Sequence, residues 1–99
     1  MSDREFLEVD PATLHVPGSR RDGADPYKLQ RQLAKHGTSV AGMPPIEVSR
    51  GTDGELVINN GVTRATRVAR YRPGTLVPVE VIDSLPILGG QFPIIGDLL

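Results

Sequence analysis

The sequence predicts one α+β domain in which a small mixed β-sheet packs against two helices. Three observations support this fold class. The chain has 99 residues, which is the size of a single domain with one core. Short apolar segments of alternating period are separated by two segments of helical period. The 11 glycines and 9 prolines break the chain often, so we expect every element to be short.

The composition excludes several classes of function. There is no cysteine, which excludes disulfides, thiolate nucleophiles and cysteine-ligated zinc. Eleven Lys and Arg residues against twelve Asp and Glu residues give a net charge of −1, so the whole surface is not a polycation that coats nucleic acid. Two tyrosines, two phenylalanines and no tryptophan offer little for base stacking. The amino terminus has no apolar run, and the apolar carboxyl-terminal stretch is broken by proline and glycine. We therefore expect a cytoplasmic protein with no membrane partner.

The first third of the chain predicts a strand followed by a helix. Apolar residues alternate with acidic ones over residues 5–10, which is typical of a half-buried strand. A short extended piece at residues 14–16 and a turn-rich segment with Arg20 and Arg21 come next. Asp25 then predicts a helix N-cap with Pro26 at the first helical position, and Gly37 predicts the end of that helix.

The middle and the end of the chain predict three further strands. Residues 46–48 and 56–58 are apolar segments joined by an Asp-Gly turn, and they indicate a β-hairpin. Residues 76–82 predict the last strand, in which Pro78 indicates an edge position or a bulge.

The segment between these strands allows two interpretations. Asn60-Gly61 is compatible with a tight hairpin turn. Alternatively, Asn60 is the N-cap of a helix that runs from 61 to about 72 and ends at Pro73-Gly74. In a helix, four apolar residues share one side: Val62, Ala65, Val68 and Ala69. Three polar residues lie on the other side: Thr63, Arg67 and Arg70. We favour the helix because a strand would mix apolar and charged residues on one face.

The order of these elements, and the residues that mark them, resemble the ParB/sulfiredoxin-like domain (the ParB N-terminal-like, or ParB-like nuclease, superfamily). LQRQLAKHG followed by PPIEV is similar to the helix, glycine and Pro-Ile-x-Val step of this family. ELVINNGVTRATRVA is similar to its strand, glycine-containing box and arginine-bearing helix. The resemblance covers roughly residues 5–83 and implies a ParB/sulfiredoxin-like domain over 1–84, with 85–99 as an apolar tail.

In that family the glycine-containing box binds phosphate. The glycine lets the backbone approach the ligand, and the free N–H groups of the helix start favour an anion. Gly61 and Arg64 match the family's glycine and the arginine three residues later. CTP-hydrolysing members and related serine kinases carry glutamate after this glycine, and sulfiredoxins carry cysteine and then histidine. Here Val62 and Thr63 occupy those two positions, and valine can neither activate water nor attack sulfur. The resemblance thus implies binding without efficient catalysis, and a ParB-like nuclease is the less favoured reading.

A cluster of arginines supports the same expectation from charge alone. Residues 61–72 contain four arginines and no acid, whereas the whole chain has a net charge of −1. We expect these groups to bind the phosphates of a nucleotide or of nucleic acid. The predicted phosphate-binding residues are Asn60, Gly61, Val62, Thr63, Arg64, Arg67, Arg20 and Arg21. The alternative is a solvated helix face, partly paired with Glu47, Glu55 or Glu80.

No catalytic residue and no protein-ligated metal are predicted. A nucleotide accompanied by Mg²⁺ is the cofactor that such a site would suit. Asp22 and Asp25 precede the first helix and are candidates to hold the cation, although acids at that position usually cap the helix. His15 and His36 lack a third ligand at helical spacing.

The tail over 85–99 carries more apolar side chains than a soluble monomer usually exposes to water. We expect it to pack on the sheet, with docking on a protein partner or on a second copy as the alternative. The second hypothesis for function follows from this alternative. It is a protein-interaction module, a regulator or immunity-type partner, that uses the tail or the arginine face.

Overall fold

Four strands form one mixed sheet in the order β1-β4-β2-β3. The computed structural model describes residues 4–99. The strands are β1 (Glu5–Val9), β2 (Ile46–Arg50), β3 (Leu56–Asn60) and β4 (Val77–Ser84). β4 pairs antiparallel with β1 and parallel with β2, and β2 pairs antiparallel with β3. The predicted α+β class, with a mixed sheet, two helices and a β2–β3 hairpin, is confirmed.

Two helices lie between the strands, α1 (Pro26–His36) and α2 (Val62–Tyr71). α1 begins and ends where its caps predict. The Asp25 carboxylate accepts a hydrogen bond from the Tyr27 N–H at 2.9 Å, and the Gly37 N–H donates to the Leu33 carbonyl at 2.8 Å. Four short 3-10 segments complete the regular structure: Pro11–Thr13, Gly18–Arg20, Gly89–Gln91 and Ile95–Leu98.

The start of α2 differs by one residue from the prediction. Asn60 ends β3, and the N-cap is Gly61, which has a φ of 118°. This left-handed conformation is one that glycine adopts without strain. A Cβ at Gly61 would also lie 2.9 Å from Nη2 of Arg64 and 3.2 Å from the side chain of Ile46. The chain therefore passes from strand to helix in a single residue that has no side chain.

The edge position predicted from Pro78 is wrong. β4 lies inside the sheet, between β1 and β2. Its pairing with β2 starts at Val79, so the residue that lacks an N–H stands where β4 has only β1 beside it. The β2–β4 ladder shifts register between Val48 and Ser49 of β2, and the extra residue is Ile82 of β4. The irregularity that Pro78 indicated as the alternative is therefore in β4, but it lies at Ile82 and not at Pro78.

The core lies between the sheet, α2 and the segment at residues 11–16. The four apolar residues predicted for one side of α2 are all buried. The opposite side is not the solvated face that the sequence left open as the alternative, because α1 packs against α2. Thr63 is 9% exposed and Arg67 only 2%, whereas Arg70 is exposed.

The tail folds back on the domain instead of covering the sheet. Its main contacts are with residues 11–16, with α2 and with the turn between β2 and β3. Ile95 is fully buried, and its N–H donates to the Leu14 carbonyl at 2.9 Å. Three apolar side chains of the tail stay exposed: Ile87, Leu88 and Leu99. Across residues 4–99, no helix has the length and apolar character needed to cross a bilayer.

Candidate phosphate-binding site

The start of α2 offers backbone donors without a side-chain cap. The first N–H groups of a helix have no partner within the helix, and no side chain of the described residues caps those of α2. The same end of the helix carries a partial positive charge. At α1, by contrast, Asp25 fills this position. The start of α2 is therefore the helix end that remains suited to an anion.

A cavity of about 350 Å³ lies over this helix start. Three elements border it: the β3–α2 junction, the polar side of α1, and the loop that precedes α1. The lining residues are Pro17, Ser19, Arg20, Lys28, Gln32, Asn59, Asn60, Gly61, Val62, Thr63 and Arg64. Three of these residues are cations and none is an acid. We call this space the phosphate cavity.

Six of the eight residues predicted from the sequence line the phosphate cavity. They are Asn60, Gly61, Val62, Thr63, Arg64 and Arg20. Arg21 lies instead at a neighbouring cavity, which it shares with Arg20, Lys28, Asp22 and Asp25. Arg67 does not reach the phosphate cavity.

Arg67 holds the end of α1. Its Nη1 donates to the carbonyls of Gly37 at 3.1 Å and Ser39 at 2.7 Å, and its Nε donates to Oε1 of Gln32 at 3.4 Å. Its Nη2 contacts Sδ of Met43 at 3.5 Å. Burial lowers the pKa of this guanidinium. Nε and Nη1 thus hold the end of α1, Nη2 has only the Met43 sulfur as a partner among the described residues, and Arg67 lies outside the phosphate cavity.

Arg64 is the arginine of α2 that lines the phosphate cavity. The hydrogen bonds that its guanidinium group donates within the protein are long. Its Nη2 lies 3.4 Å from the carbonyls of Pro45 and Asn60, at the long limit of a hydrogen bond. Its Nε is buried and has no partner among the described residues. An oxyanion placed here would give this fork the two short bonds that it lacks.

The acids proposed as partners of the arginine face are engaged elsewhere. Glu47 accepts from the Asn60 amide, Glu55 contacts the His15 ring, and Glu80 pairs with Arg4. Within residues 4–99, no carboxylate forms an ion pair with an arginine of α2.

Sequence reasoning missed Lys28 and Gln32, which bring α1 to the cavity. Their spacing of four residues places both on one side of α1. Lys28 also lines an adjoining cavity together with Arg31 and Lys35. We call these three cations the α1 basic face. The regular spacing of Lys28, Arg31 and Lys35 was the available signal, but that signal is informative only once α1 is known to lie beside α2.

The lining of the phosphate cavity fits an anion and offers no protein ligand set for a metal. Asp25 is used in capping α1, and Asp22 borders the neighbouring cavity. Over residues 4–99, no group of three His, Asp or Glu side chains is arranged to hold a metal ion. His15 has a structural contact instead, because its Nδ1 lies 2.7 Å from the Phe92 carbonyl of the tail.

Comparisons with protein-family models, with curated proteins and with solved structures found no match to this chain.

Proposed function

We propose that this domain binds the phosphate groups of a nucleotide or of nucleic acid in the phosphate cavity, without efficient catalysis. The observation that carries the proposal is Arg64, a guanidinium beside Gly61 that has a buried, unpartnered Nε and no carboxylate partner among the described residues. A charged donor left in this state favours an anionic ligand over water.

The surroundings of Arg64 support the same ligand. Arg20 and Lys28 add two cations to the lining, which contains no acid. The backbone at 61–63 opens a helix, and its N–H groups suit the oxygens of a phosphate. The resemblance to the ParB/sulfiredoxin-like domain supports this use of Gly61 and Arg64, and that family assignment is part of the proposal. A cytoplasmic location stays a prediction.

The absence of a carboxylate or a histidine in the lining supports binding over turnover. Val62 stands directly at the helix start, and none of the lining residues is a carboxylate or a histidine. General-base catalysis needs such a group within hydrogen-bond reach of the attacking water. Nuclease activity is the family-based alternative. Metal-dependent cleavage of DNA that disappears in Arg64→Ala would favour it over binding alone.

A thermal-shift screen tests the proposal. CTP, ATP, GTP and short DNA are each added with and without Mg²⁺, because a ligand that binds only the folded state must raise the Tm. Arg64→Ala should weaken the binding of any ligand found by about 10- to 100-fold, the effect of losing charge-assisted hydrogen bonds. Arg70→Ala is the matched control, since Arg70 is an exposed arginine of the same helix that does not line the phosphate cavity.

Salt dependence separates the phosphate proposal from the protein-interaction module. Binding of a nucleic acid should weaken steeply as salt rises, because phosphate contacts release counterions. An interface built on exposed tail residues such as Leu88 would change little with salt. If neither nucleotide nor DNA raises the Tm, or if Arg64→Ala and Arg70→Ala behave alike, the phosphate proposal is wrong.

A further inference from the structure

A second cavity, of about 240 Å³, also borders Arg64. It is enclosed by the end of α1, the loop at residues 39–44 and α2. It shares Arg64 and Gln32 with the phosphate cavity, but it adds Arg67, Ala41 and Met43, which the phosphate cavity lacks. Its volume is several times the roughly 30 Å³ that one water molecule occupies. We call it the Arg67 cavity.

The Arg67 cavity combines two guanidinium groups with no negative charge. Arg67 is 2% exposed, and its four contacts are two carbonyls, an amide oxygen and a thioether sulfur. These acceptors are all neutral, although carbonyls at the end of a helix carry a partial negative charge. Arg64 adds the buried Nε that has no partner among the described residues. None of the residues lining this cavity is an acid. A buried cation is stabilised most by an opposite charge, and this charge is missing from the protein around the cavity.

The remaining lining is partly apolar. Ala41, Met43 and Pro44 form this part of the wall. A ligand that fills the space therefore needs an anionic end for the guanidinium groups and an apolar body for the apolar part of the wall. A carboxylate has the planar geometry that matches a guanidinium fork.

We propose that the Arg67 cavity binds the carboxylate of a small molecule with an apolar body, through Arg64 and Arg67. This site does not depend on phosphate binding at the start of α2. It differs from the phosphate cavity in its apolar wall.

Benzoate is the probe, and benzamide is the neutral molecule of nearly the same shape. Both are titrated at constant ionic strength into the ¹⁵N-labelled full chain, and the Arg64 Nε–Hε signal is followed by NMR. Benzoate should shift this signal in a saturable manner, and benzamide should not. The proposal is overturned if benzoate leaves the signal unchanged up to its solubility limit, or if benzamide acts equally. It is also overturned if inorganic phosphate saturates the signal and benzoate does not.

Ala41→Glu supplies the missing negative charge from within the chain. Ala41 is exposed at the cavity, so a longer side chain does not disturb the core. The new carboxylate should compete for the guanidinium groups and raise the Kd for benzoate by at least about tenfold. Ala41→Gln is the matched neutral variant and should bind benzoate within about twofold of the unmodified chain. Undiminished benzoate binding by Ala41→Glu would contradict the proposed location.

Lys28→Ala distinguishes failure here from failure of the phosphate proposal. Lys28 lines the phosphate cavity and not the Arg67 cavity. The variant should weaken the binding of the nucleotide or DNA ligand and leave the Kd for benzoate unchanged. Loss of benzoate binding in Lys28→Ala would place the probe in the phosphate cavity and overturn this inference.

Discussion

Ile95→Ala tests whether the tail is part of the core of this chain. Ile95 is fully buried in the same cluster as Leu14 and Val16. Replacement of a buried isoleucine by alanine removes three carbon atoms and leaves a cavity, at a cost of about 2–5 kcal/mol. For a domain of this length that loss corresponds to a fall in Tm of at least about 8 °C. It is a large part of the roughly 5–15 kcal/mol by which such domains are stable.

Thermal and urea unfolding, combined with the molecular mass in solution, provide the measurement. Ile95→Val should cost only about 0.5–1.5 kcal/mol, because it removes a single methylene. Leu88→Ala is the matched tail control, since Leu88 is 57% exposed and the change should stay within about 0.5 kcal/mol. Equal and small effects of Ile95→Ala and Leu88→Ala would refute the packing of the tail on its own domain. A change in molecular mass without loss of monomer stability would indicate that the tail docks on a second copy.

Three further predictions concern Gly61, the α1 cap at Asp25 and the contact of Asp53 with the tail. Gly61→Ala should destabilise the fold by about 1–3 kcal/mol, because position 61 has a positive φ and the side chain of Ile46 lies close to it. It should also weaken the binding of phosphate ligands in the thermal-shift assay. Unchanged stability and binding would contradict this role. Asp25→Ala should cost about 1 kcal/mol of unfolding free energy by removal of the α1 cap, whereas Asp25→Ser should restore most of it, and equal stability of the two variants would show that the cap is not needed. Asp53 accepts hydrogen bonds from the N–H groups of Gly90, Gly89 and Glu55, and these bonds, that from Gly90 most, hold the pKa of its carboxyl below the usual value against a smaller opposing effect of burial. Its contribution to stability is therefore present above the ordinary aspartate pKa of about 3.9 and is lost as the pH falls through the lowered value. The difference in Tm between Asp53→Asn and the unmodified chain should shrink between pH 7 and pH 2, and a constant difference would contradict this sign.

Features set by local sequence were predicted well. The bounds of α1 follow from Asp25, Pro26 and Gly37, which act within one turn of the helix. The β2–β3 hairpin follows from its Asp-Gly turn, and the apolar side of α2 follows from its helical period. These signals need no knowledge of what packs against the element.

Features set by distant partners were predicted poorly. Pro78 indicated an edge strand, but β4 is central in the sheet. A proline is tolerated in this central strand because β2 pairs with β4 only beyond Pro78. Arg67 was predicted to bind phosphate, with a solvated face as the alternative, because nothing in its neighbourhood along the chain reveals that it donates hydrogen bonds at the end of α1. The ParB/sulfiredoxin-like assignment itself stays a prediction.

The distribution of positive charge shows why the sequence indicates the helix start of the candidate site but not the full set of cations that line the cavity. Of the arginines within 61–72, Arg67 donates hydrogen bonds at the end of α1, and Arg64 is the one that lines the phosphate cavity. The other two cations of the lining, Arg20 and Lys28, come from the loop before α1 and from α1 itself. Counting charges along the chain therefore indicates the helix start that borders this cavity, but it includes Arg67 and misses Lys28. The local field at Gly61 depends on the packing of α1 beside α2, so a variant that loosens this packing should weaken phosphate binding even when every cation is retained. Leu29→Ala is such a variant, because Leu29 is the buried residue of α1 and carries no charge. It should lower the free energy of unfolding by about 2–5 kcal/mol. At temperatures at which the variant is still folded, it should also raise the Kd of the phosphate ligand. Retained affinity in folded Leu29→Ala would show that Arg64 and the backbone at Gly61 suffice without α1.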